Sequence, residues 1–225
     1  MISDVPESFD IREQWPECKR EVRDQESCSP MIFAAVEVLG WRFCIATEGK
    51  TNLVLSVQDI ISCDLYSGCQ GGFPESAWEY FETSGVVTES CFPYEGFDAP
   101  CRTECVNGEE WVKYKSTAIQ EFTNPSEIKD NLFKSGPIQT SFTVYSDFVQ
   151  YEGGIYKHTS GGLLGGHTVF IIGWGVQDGT NYWIAQNSWG KDWGEQGYFR
   201  IAEGECGFDE NGIAGEAVVE KNINL

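Results

Sequence analysis

Residues 25–36 read QESCSPMIFAAV, and they contain the start of the first long helix that the sequence predicts. Pro30 suits the first turn of a helix, where a missing N–H removes no hydrogen bond. From Pro30 to about Ala46 apolar residues recur at helical spacing, which predicts a buried helix. Cys28 stands just before this helix, at the end whose positive potential favours an ionised thiol. The apolar positions are Ile32, Phe33, Val36, Leu39 and Phe43.

The balance of charge is the unusual feature of the composition. The 225 residues suffice for one sizeable domain or two fused halves, and they carry 15 Lys and Arg against 35 Asp and Glu. The formal net charge of −20 argues against a nucleic acid partner, because phosphate binding needs clustered cations. The negative charge indicates solubility as the first interpretation. The second interpretation is tolerance of an acidic compartment, where protonation lowers the self-repulsion. The longest apolar run, around Val169–Ile172, has the length of a strand, so we expect no membrane span.

Nine cysteines in a chain of this size predict disulfides and a route through an oxidising compartment. A zinc site is excluded because the chain has no Cys-x-x-Cys pair and only two histidines, His158 and His167. We expect neither a metal nor another cofactor. Because nine is odd, at least one thiol is unpaired or joins another chain. Residues 1–4 do not open as a signal peptide, so we expect any leader or propeptide to lie outside this sequence.

The pattern of the chain changes near residue 112. A second helix is predicted over Glu75–Thr83, after Pro74, and residues 84–112 are rich in turns. The remainder is mostly strand-like, with one helix candidate at Ser126–Phe133. We therefore expect a single α+β domain with a helical, disulfide-rich lobe over 12–112 and a β-rich lobe over 113–225 plus 1–11. A functional site would then lie in the cleft between the lobes. The predicted strands are Gln139–Tyr145, His167–Trp174, Asn181–Ile184 and Tyr198–Ala202.

Five motifs occur along the chain in one order, and this order resembles that of the papain-like cysteine proteases. They are Asp24-Gln25-x-Ser27-Cys28, Cys69-Gln70-Gly71-Gly72-Phe73-Pro74, Gly165-Gly166-His167, Gly173-Trp174-Gly175 and Asn187-Ser188-Trp189-Gly190. Two further stretches, Phe9–Pro16 and Tyr145–Phe148, resemble cathepsin B in particular. The resemblance covers nearly the whole chain. It implies the papain-like fold, with a helical left lobe and a β-barrel-like right lobe.

The resemblance also implies roles for individual side chains. His167 would be the general base, Asn187 the residue that orients it, and Gln25 the donor to the developing oxyanion. Trp189 would shield the histidine–asparagine pair from water. His167 taken alone could equally be a structural histidine beside a buried strand. Its place in family order with Gln25 and Asn187 favours a working site or the remnant of one.

Substrate-binding residues are implied in the same way. Gly71 and Gly72 would pair with the backbone of a substrate, since the lack of side chains permits close approach. Cathepsin B carries a long histidine-bearing insertion that closes one end of the cleft, but residues between Cys91 and Cys105 contain no histidine. We therefore expect the primed end of the cleft to be open. Asn211 falls near the position that carries an acidic residue in the S2 pocket of cathepsin B. An asparagine there weakens the case for a preference for basic substrate side chains.

The nucleophile itself is missing from the expected place. In the family, the position of Cys28 is followed by two small residues, the catalytic cysteine and an aromatic residue. Here Ser29, Pro30 and Met31 follow, and one residue too few separates Cys28 from Val36. Pro30 or Met31 therefore lies nearest the place of the nucleophile, and neither can be ionised or acylated. Pro30 also has no N–H to give to an oxyanion.

Two other residues are candidate substitutes for the nucleophile. Ser29 lies one step early, and Cys28 resembles a half-cystine that bridges to Cys69.

Following cathepsin B position by position, the remaining pairs would be Cys18 with Cys44, Cys63 with Cys101, and Cys91 with Cys105. Cys206 matches a position that is unpaired in the family. This assignment uses all nine cysteines and leaves none for catalysis.

The expected function is that of a cathepsin B-like pseudoprotease. It would be a monomer that is secreted or held in a lysosome-like or endosome-like vesicle. Its cleft would bind a peptide or protein, for example a propeptide or a protease inhibitor. The main alternative is an active cysteine-type endopeptidase. Its nucleophile would lie at a position other than the one assigned above, or it would be Ser29. A third alternative, a secreted structural protein that uses only the fold, is not distinguished from the first by sequence.

Overall fold

The central feature of the fold is one long helix that packs against a curved sheet. The structure is a computed structural model that describes residues 5–219. The helices are α1 (Ile11–Gln14), α2 (Pro30–Ala46), α3 (Val57–Cys63), α4 (Pro74–Thr83), α5 (Pro125–Ser135) and α6 (Ser146–Val149), with a 3₁₀ turn at Pro16–Cys18. The strands are β1 (Phe9–Asp10), β2 (Ser116–Phe122), β3 (Ile138–Tyr145), β4 (Ile155–Tyr156), β5 (Leu163–Gln177), β6 (Thr180–Gln186), β7 (Tyr198–Ala202) and β8 (Gly212–Ala217).

Helix α2 begins and ends for local reasons that the sequence shows. Pro30 is its first residue, and Ser29 precedes it in an extended conformation without capping it through the side chain. The helix ends before Thr47, whose Oγ1 donates to the carbonyl of Phe43 at 2.7 Å. Every residue from Met31 to Cys44 is buried. A helix that is buried on all sides lies in the interior of a domain, so α2 forms the centre of the core.

The sheet places a buried strand at the face of α2. Its order is β2-β8-β3-β5-β6-β7-β4, with β1 paired to β5. All of these pairings are antiparallel except that of β4 with β7. Residues 167–175 of β5 are buried continuously because α2 covers the strand and further elements cover its other face. The long strand β5 thus connects the core to the site.

The predicted elements agree with the structure where the sequence pattern was long and regular. The helix from Pro30 to about Ala46 and the strand from Tyr198 to Ala202 are confirmed. Helix α3 and strands β2 and β8 were not predicted. Helix α3 has seven residues, and β8 contains two glycines, so neither carries a clear periodic signal. The N-terminal residues 1–4, which the prediction assigned to the β-rich lobe, lie outside the described residues.

Four disulfides hold the part of the chain that contains α2 to α4. All of their cysteines lie between residues 18 and 105, and within residues 5–219 Cys206 is the one free cysteine. The pairs are those that the resemblance implied: Cys18–Cys44, Cys28–Cys69, Cys63–Cys101 and Cys91–Cys105. Over residues 5–219, none of the helices combines the length and the apolar character that crossing a membrane requires.

Candidate functional site

His167 and Asn187 meet at the edge of the cleft because neighbouring strands carry them. His167 lies in β5, and Asn187 follows the last residue of β6. The Nε2 of His167 is 2.8 Å from the Oδ1 of Asn187. The same oxygen accepts the backbone N–H of Ser188 at 2.8 Å, which fixes the orientation of the amide. The proton of the neutral imidazole therefore lies on Nε2, and Nδ1 keeps its lone pair.

The surroundings of His167 keep its ring neutral. The residue is 7% exposed, and the ring of Trp189 lies over it with 4.7 Å between the ring centroids. Burial lowers the pKa of His167 to about 4, although the hydrogen bond with Asn187 acts in the opposite direction. The imidazole is thus uncharged over most of the pH range of vesicles and of secretions. Trp189 lies against this ring, and its role as a shield from water stays a prediction.

Gln25 is joined closely to the segment that follows β6. Its backbone N–H donates to the carbonyl of Ser188 at 2.8 Å, and its Oε1 accepts the hydroxyl of Ser188 at 2.6 Å. The Nε2 of Gln25 donates to the carbonyl of Cys28 at 3.0 Å. The side-chain amide of Gln25 is therefore directed at the backbone of Cys28. Ser188 was not predicted as a site residue, and its position next to Asn187 was the only signal for it.

In the described part of the chain, positions 28–31 at the start of α2 carry no free ionisable side chain. Cys28 is bound in a disulfide with Cys69, and the helix then begins at Pro30 with Met31 buried. The hydroxyl of Ser29 is buried and makes no hydrogen bond within the described part of the chain. Cys206 is half-buried, and burial together with the carboxylate of Glu205 raises the pKa of its thiol to about 11.

The glycine strip faces the start of α2. The backbones of Gly68 and Gly71 exchange two hydrogen bonds, of 3.1 and 3.2 Å. Gly72 is exposed, and across the described residues its N–H and C=O have no hydrogen-bond partner. A methyl group at Gly72 would lie 2.9 Å from the Cε of Met31, so the Met31 side chain lies directly beneath the strip. The strip thus offers one unpaired backbone edge to an extended chain.

An acidic cavity of about 280 Å³ lies next to Asn211, close to the glycine strip. Phe73 and Ile213 contribute apolar walls. The prediction that Asn211 weakens a preference for basic substrate side chains rested on one position. The structure places three carboxylates in the same cavity, those of Glu75, Glu121 and Glu210. None of these carboxylates forms an ion pair within residues 5–219.

His158, the other histidine of the chain, is held in place by neighbouring side chains. Its ring stacks on Tyr145 with centroids 3.7 Å apart, and its Nδ1 lies 3.1 Å from Asp147. Burial alone would raise the pKa of Asp147, but the hydrogen bonds from Thr159, Tyr156 and His158 outweigh it and lower that pKa. The packing is tertiary, so no local pattern predicted it. In residues 5–219 no cluster of three or more His, Cys, Asp or Glu side chains is suited to hold a metal ion.

The two-part fold and the His–Asn pair at its cleft are those of a cysteine peptidase scaffold. The chain belongs to the papain family of cysteine proteases, since the family described as "Papain family cysteine protease" matches residues 5–220. It is 43% identical over 222 residues to "Cathepsin B-like CP3" of Giardia intestinalis, which covers 94% of this chain and 74% of the relative. Within the family it is cathepsin B-like.

Two further proteins support this placement. The chain is 36% identical over 249 residues to "Gut-specific cysteine proteinase" of Caenorhabditis elegans, covering 97% of this chain and 76% of the relative. Among solved structures, "proCathepsin B S9 from Trypanosoma congolense" is similar with a TM-score of 0.90 at 35% identity. That match covers 97% of this chain and 80% of the solved chain.

Proposed function

We propose that this chain is a cathepsin B-like pseudoprotease that binds a peptide or protein in its cleft without cleaving it. The observation that carries the proposal is the start of α2. In family order the catalytic thiol belongs at this position, and here the helix begins with Pro30 followed by the buried Met31. Neither side chain has an atom that can attack a carbonyl and be acylated.

The oxyanion site supports the same conclusion independently of the nucleophile. Papain-like catalysis uses two donors, the backbone N–H at the nucleophile and a glutamine amide. Pro30 has no N–H, and the Nε2 of Gln25 donates to the carbonyl of Cys28 instead. Both donors are therefore lost or engaged elsewhere. Supplying a thiol alone would leave a developing oxyanion poorly stabilised.

The remaining cysteine and serine are poor substitutes for the nucleophile. Thiol reactivity requires a thiolate, and a pKa of about 11 leaves Cys206 protonated at physiological pH. Ser29 is 2% exposed, and its hydroxyl makes no hydrogen bond to a base within the described residues. A serine that contacts no base is not activated.

The parts of the cleft that bind a chain are retained. The unpaired edge at Gly72 can accept an extended segment by strand addition, and the acidic cavity beside Asn211 can accept one of its side chains. We propose that the partner is a peptide, a propeptide or a protease inhibitor, and that the chain acts as a monomer. Four disulfides and a relative named as gut-specific support a secreted or lysosome-like vesicular location.

Active proteolysis is the alternative function, and the names of the relatives favour it. The decisive experiment incubates the purified chain with a fluorogenic dipeptide substrate and, separately, with an epoxide probe for catalytic thiols. We expect neither turnover nor labelling. Turnover that disappears in a His167→Ala variant would overturn the proposal. Turnover that disappears in Ser29→Ala would assign the reaction to the serine instead.

Binding is tested with the same protein. A peptide library is captured on the wild-type chain, on Gly72→Ala and on Gly153→Ala. The first substitution pushes on Met31 and on the strip, whereas the methyl group of the second meets nothing closer than 3.5 Å. We expect Gly72→Ala to lose about tenfold in affinity, the equivalent of one or two backbone hydrogen bonds, and Gly153→Ala to bind like wild type. Equal binding by all three would exclude the cleft.

A further inference from the structure

A small cavity lies behind Asn187, between the helical half of the protein and the sheet. Its volume is about 10 Å³ for the centre of a water molecule, which is close to the minimum that one water needs. Glu37 of α2 and Asn187 stand on opposite sides of it. The helical side is completed by Arg23, Phe33 and Ala34, and the sheet side by Thr168, Val169, Phe170, Gln186 and Ser188.

Two buried polar atoms at this cavity lack hydrogen-bond partners within the described residues, and they are of opposite kinds. One is the Nδ2 donor of Asn187, whose Oδ1 is already used by His167 and by Ser188. The other is the Oε2 acceptor of Glu37. Asn187 is 2% exposed and Glu37 is 4% exposed, so bulk water does not satisfy either group. Buried polar atoms of this kind normally have a partner.

The cationic neighbours of Glu37 do not complete its hydrogen bonding. Arg23 Nη1 is 3.6 Å from its Oε1, and Arg20 Nη1 is 3.9 Å from its Oε2. Both distances are too long for a direct hydrogen bond. The guanidinium of Arg23 is instead directed to the carbonyl of Leu55 and to Glu89. Separations of this length are typical of water-mediated contacts.

We propose that one water molecule is bound in this cavity, where it accepts a hydrogen bond from Asn187 Nδ2 and donates one to the carboxylate of Glu37. Glu37 is thereby a positioning residue: it holds the Asn187 amide, which in turn holds the His167 ring. The proposal does not depend on whether the chain cleaves peptides. It concerns only how the histidine–asparagine pair keeps its geometry.

The position of Glu37 in α2 connects the support of Asn187 to the start of the same helix. Glu37 is seven residues after Pro30, which is two turns of helix, so both lie on one face of α2. The helix whose start faces the cleft therefore also supports the asparagine, through one water. A displacement of α2 would move the start of the helix and the support of His167 together.

The first test is a high-resolution crystal structure of the wild-type chain. We expect electron density for one water within hydrogen-bonding distance of both Asn187 Nδ2 and the Glu37 carboxylate. An empty cavity, or a water that contacts only one of these groups, would overturn the proposal. This measurement needs no variant, so it remains decisive if a substitution at Glu37 prevents folding.

The second test measures how fast the Nε2 proton of His167 exchanges with solvent, by NMR. Glu37→Leu removes the acceptor, and we expect exchange about tenfold faster, the loss of one hydrogen bond. Glu37→Gln keeps an acceptor oxygen and should rescue the wild-type rate. Glu89→Gln is the matched control, since it removes a carboxylate from Arg23 without lining the cavity. An unchanged rate in Glu37→Leu, or equal acceleration in Glu89→Gln, would contradict the positioning role.

Discussion

The two walls of the cleft differ in how closely they match the residues that the papain-like order of motifs predicts. We call residues 25–33 the nucleophile arm and residues 167–189 the histidine wall. The histidine wall keeps a buried imidazole bonded to an asparagine at 2.8 Å under a covering tryptophan. The nucleophile arm starts its helix at Pro30 and engages the Gln25 amide with its own carbonyl. The order of motifs predicts that this arm is one residue short. Under the proposed function, the loss of chemistry is confined to one wall.

The difference has a structural cause. His167 lies within β5, whose neighbours β3 and β6 fix its register through long antiparallel ladders. A shift by one residue would turn every side chain of such a strand to the other face. The nucleophile arm is a connection between a disulfide and a helix start, so it can shorten without disturbing a ladder. The wall inside the sheet is therefore the more constrained one.

The largest expected effect comes from repairing the nucleophile arm. Replacing residues 29–32 with Gly-Ser-Cys-Trp-Ala restores a thiol, its N–H and the missing residue. Loss of a nucleophile costs a hydrolase on the order of a millionfold in turnover, so we expect a gain of at least about a thousandfold in kcat/KM. The measurement is hydrolysis of a fluorogenic dipeptide. Labelling by the epoxide probe should appear together with it.

The control for the repair is the same variant with His167→Ala, which should return to the background rate. A repaired arm that stays inactive while its thiol is present would mean that the histidine wall has also changed. Pro30→Cys alone should give far less activity than the full repair, because it leaves the arm short and the Gln25 amide bonded to Cys28.

The disulfide at the nucleophile arm should contribute the next largest effect, on stability. Cys28 and Cys69 are separated by 41 residues, and their replacement by alanine should lower the free energy of unfolding by about 4 kcal/mol. Replacing Cys91 and Cys105, separated by 14 residues, should cost about 3 kcal/mol. Denaturant unfolding of both double variants measures the difference. A negligible effect at Cys28 would mean that the arm is held by packing alone.

Acid should weaken the histidine wall through His167. Its pKa is lowered by burial to about 4, against 6.5 for an exposed imidazole, so the unfolded state binds more protons between these values. The stability that the neutral ring provides is complete above about pH 6.5 and falls by about 3 kcal/mol toward pH 4. Denaturant unfolding of wild type and His167→Gln from pH 7 to 4 measures it. Parallel pH profiles for the two proteins would contradict the prediction.

The smallest expected effect concerns the free thiol outside both walls. With its pKa raised to about 11, Cys206 should react with iodoacetamide at neutral pH about a hundredfold more slowly than an exposed cysteine. Mass spectrometry of the alkylated chain measures the rate, and Cys206→Ser provides the unlabelled reference. Rapid labelling would show that the thiol is more accessible and more acidic than its burial and the Glu205 carboxylate imply.

Sequence reasoning succeeded where a physical pattern was long. Helix α2 follows from Pro30 and five apolar residues at helical spacing, and β5 from its continuous apolar run. Strand β8, Gly212–Ala217, was missed because a glycine-containing run has no strand signal, and its pairing with β2 and β3 alone defines it.

The candidate site was predictable only through the order of its motifs. His167, Asn187 and Gln25 are far apart in sequence, and no spacing rule brings them together. The bonds between Gln25 and Ser188 and the cavity beside Glu37 join segments that are distant in sequence, so no local pattern contained them. The same holds for the carboxylates that surround Asn211.

The proline at the start of α2 has a consequence for the descent of this protein. Proline and cysteine codons differ at their first two nucleotides, so no single nucleotide change at Pro30 creates a thiol. Base substitutions of any number also leave the shortened arm at its present length. If the chain is the pseudoprotease proposed above, one base change at Pro30 therefore cannot restore the thiol at that position.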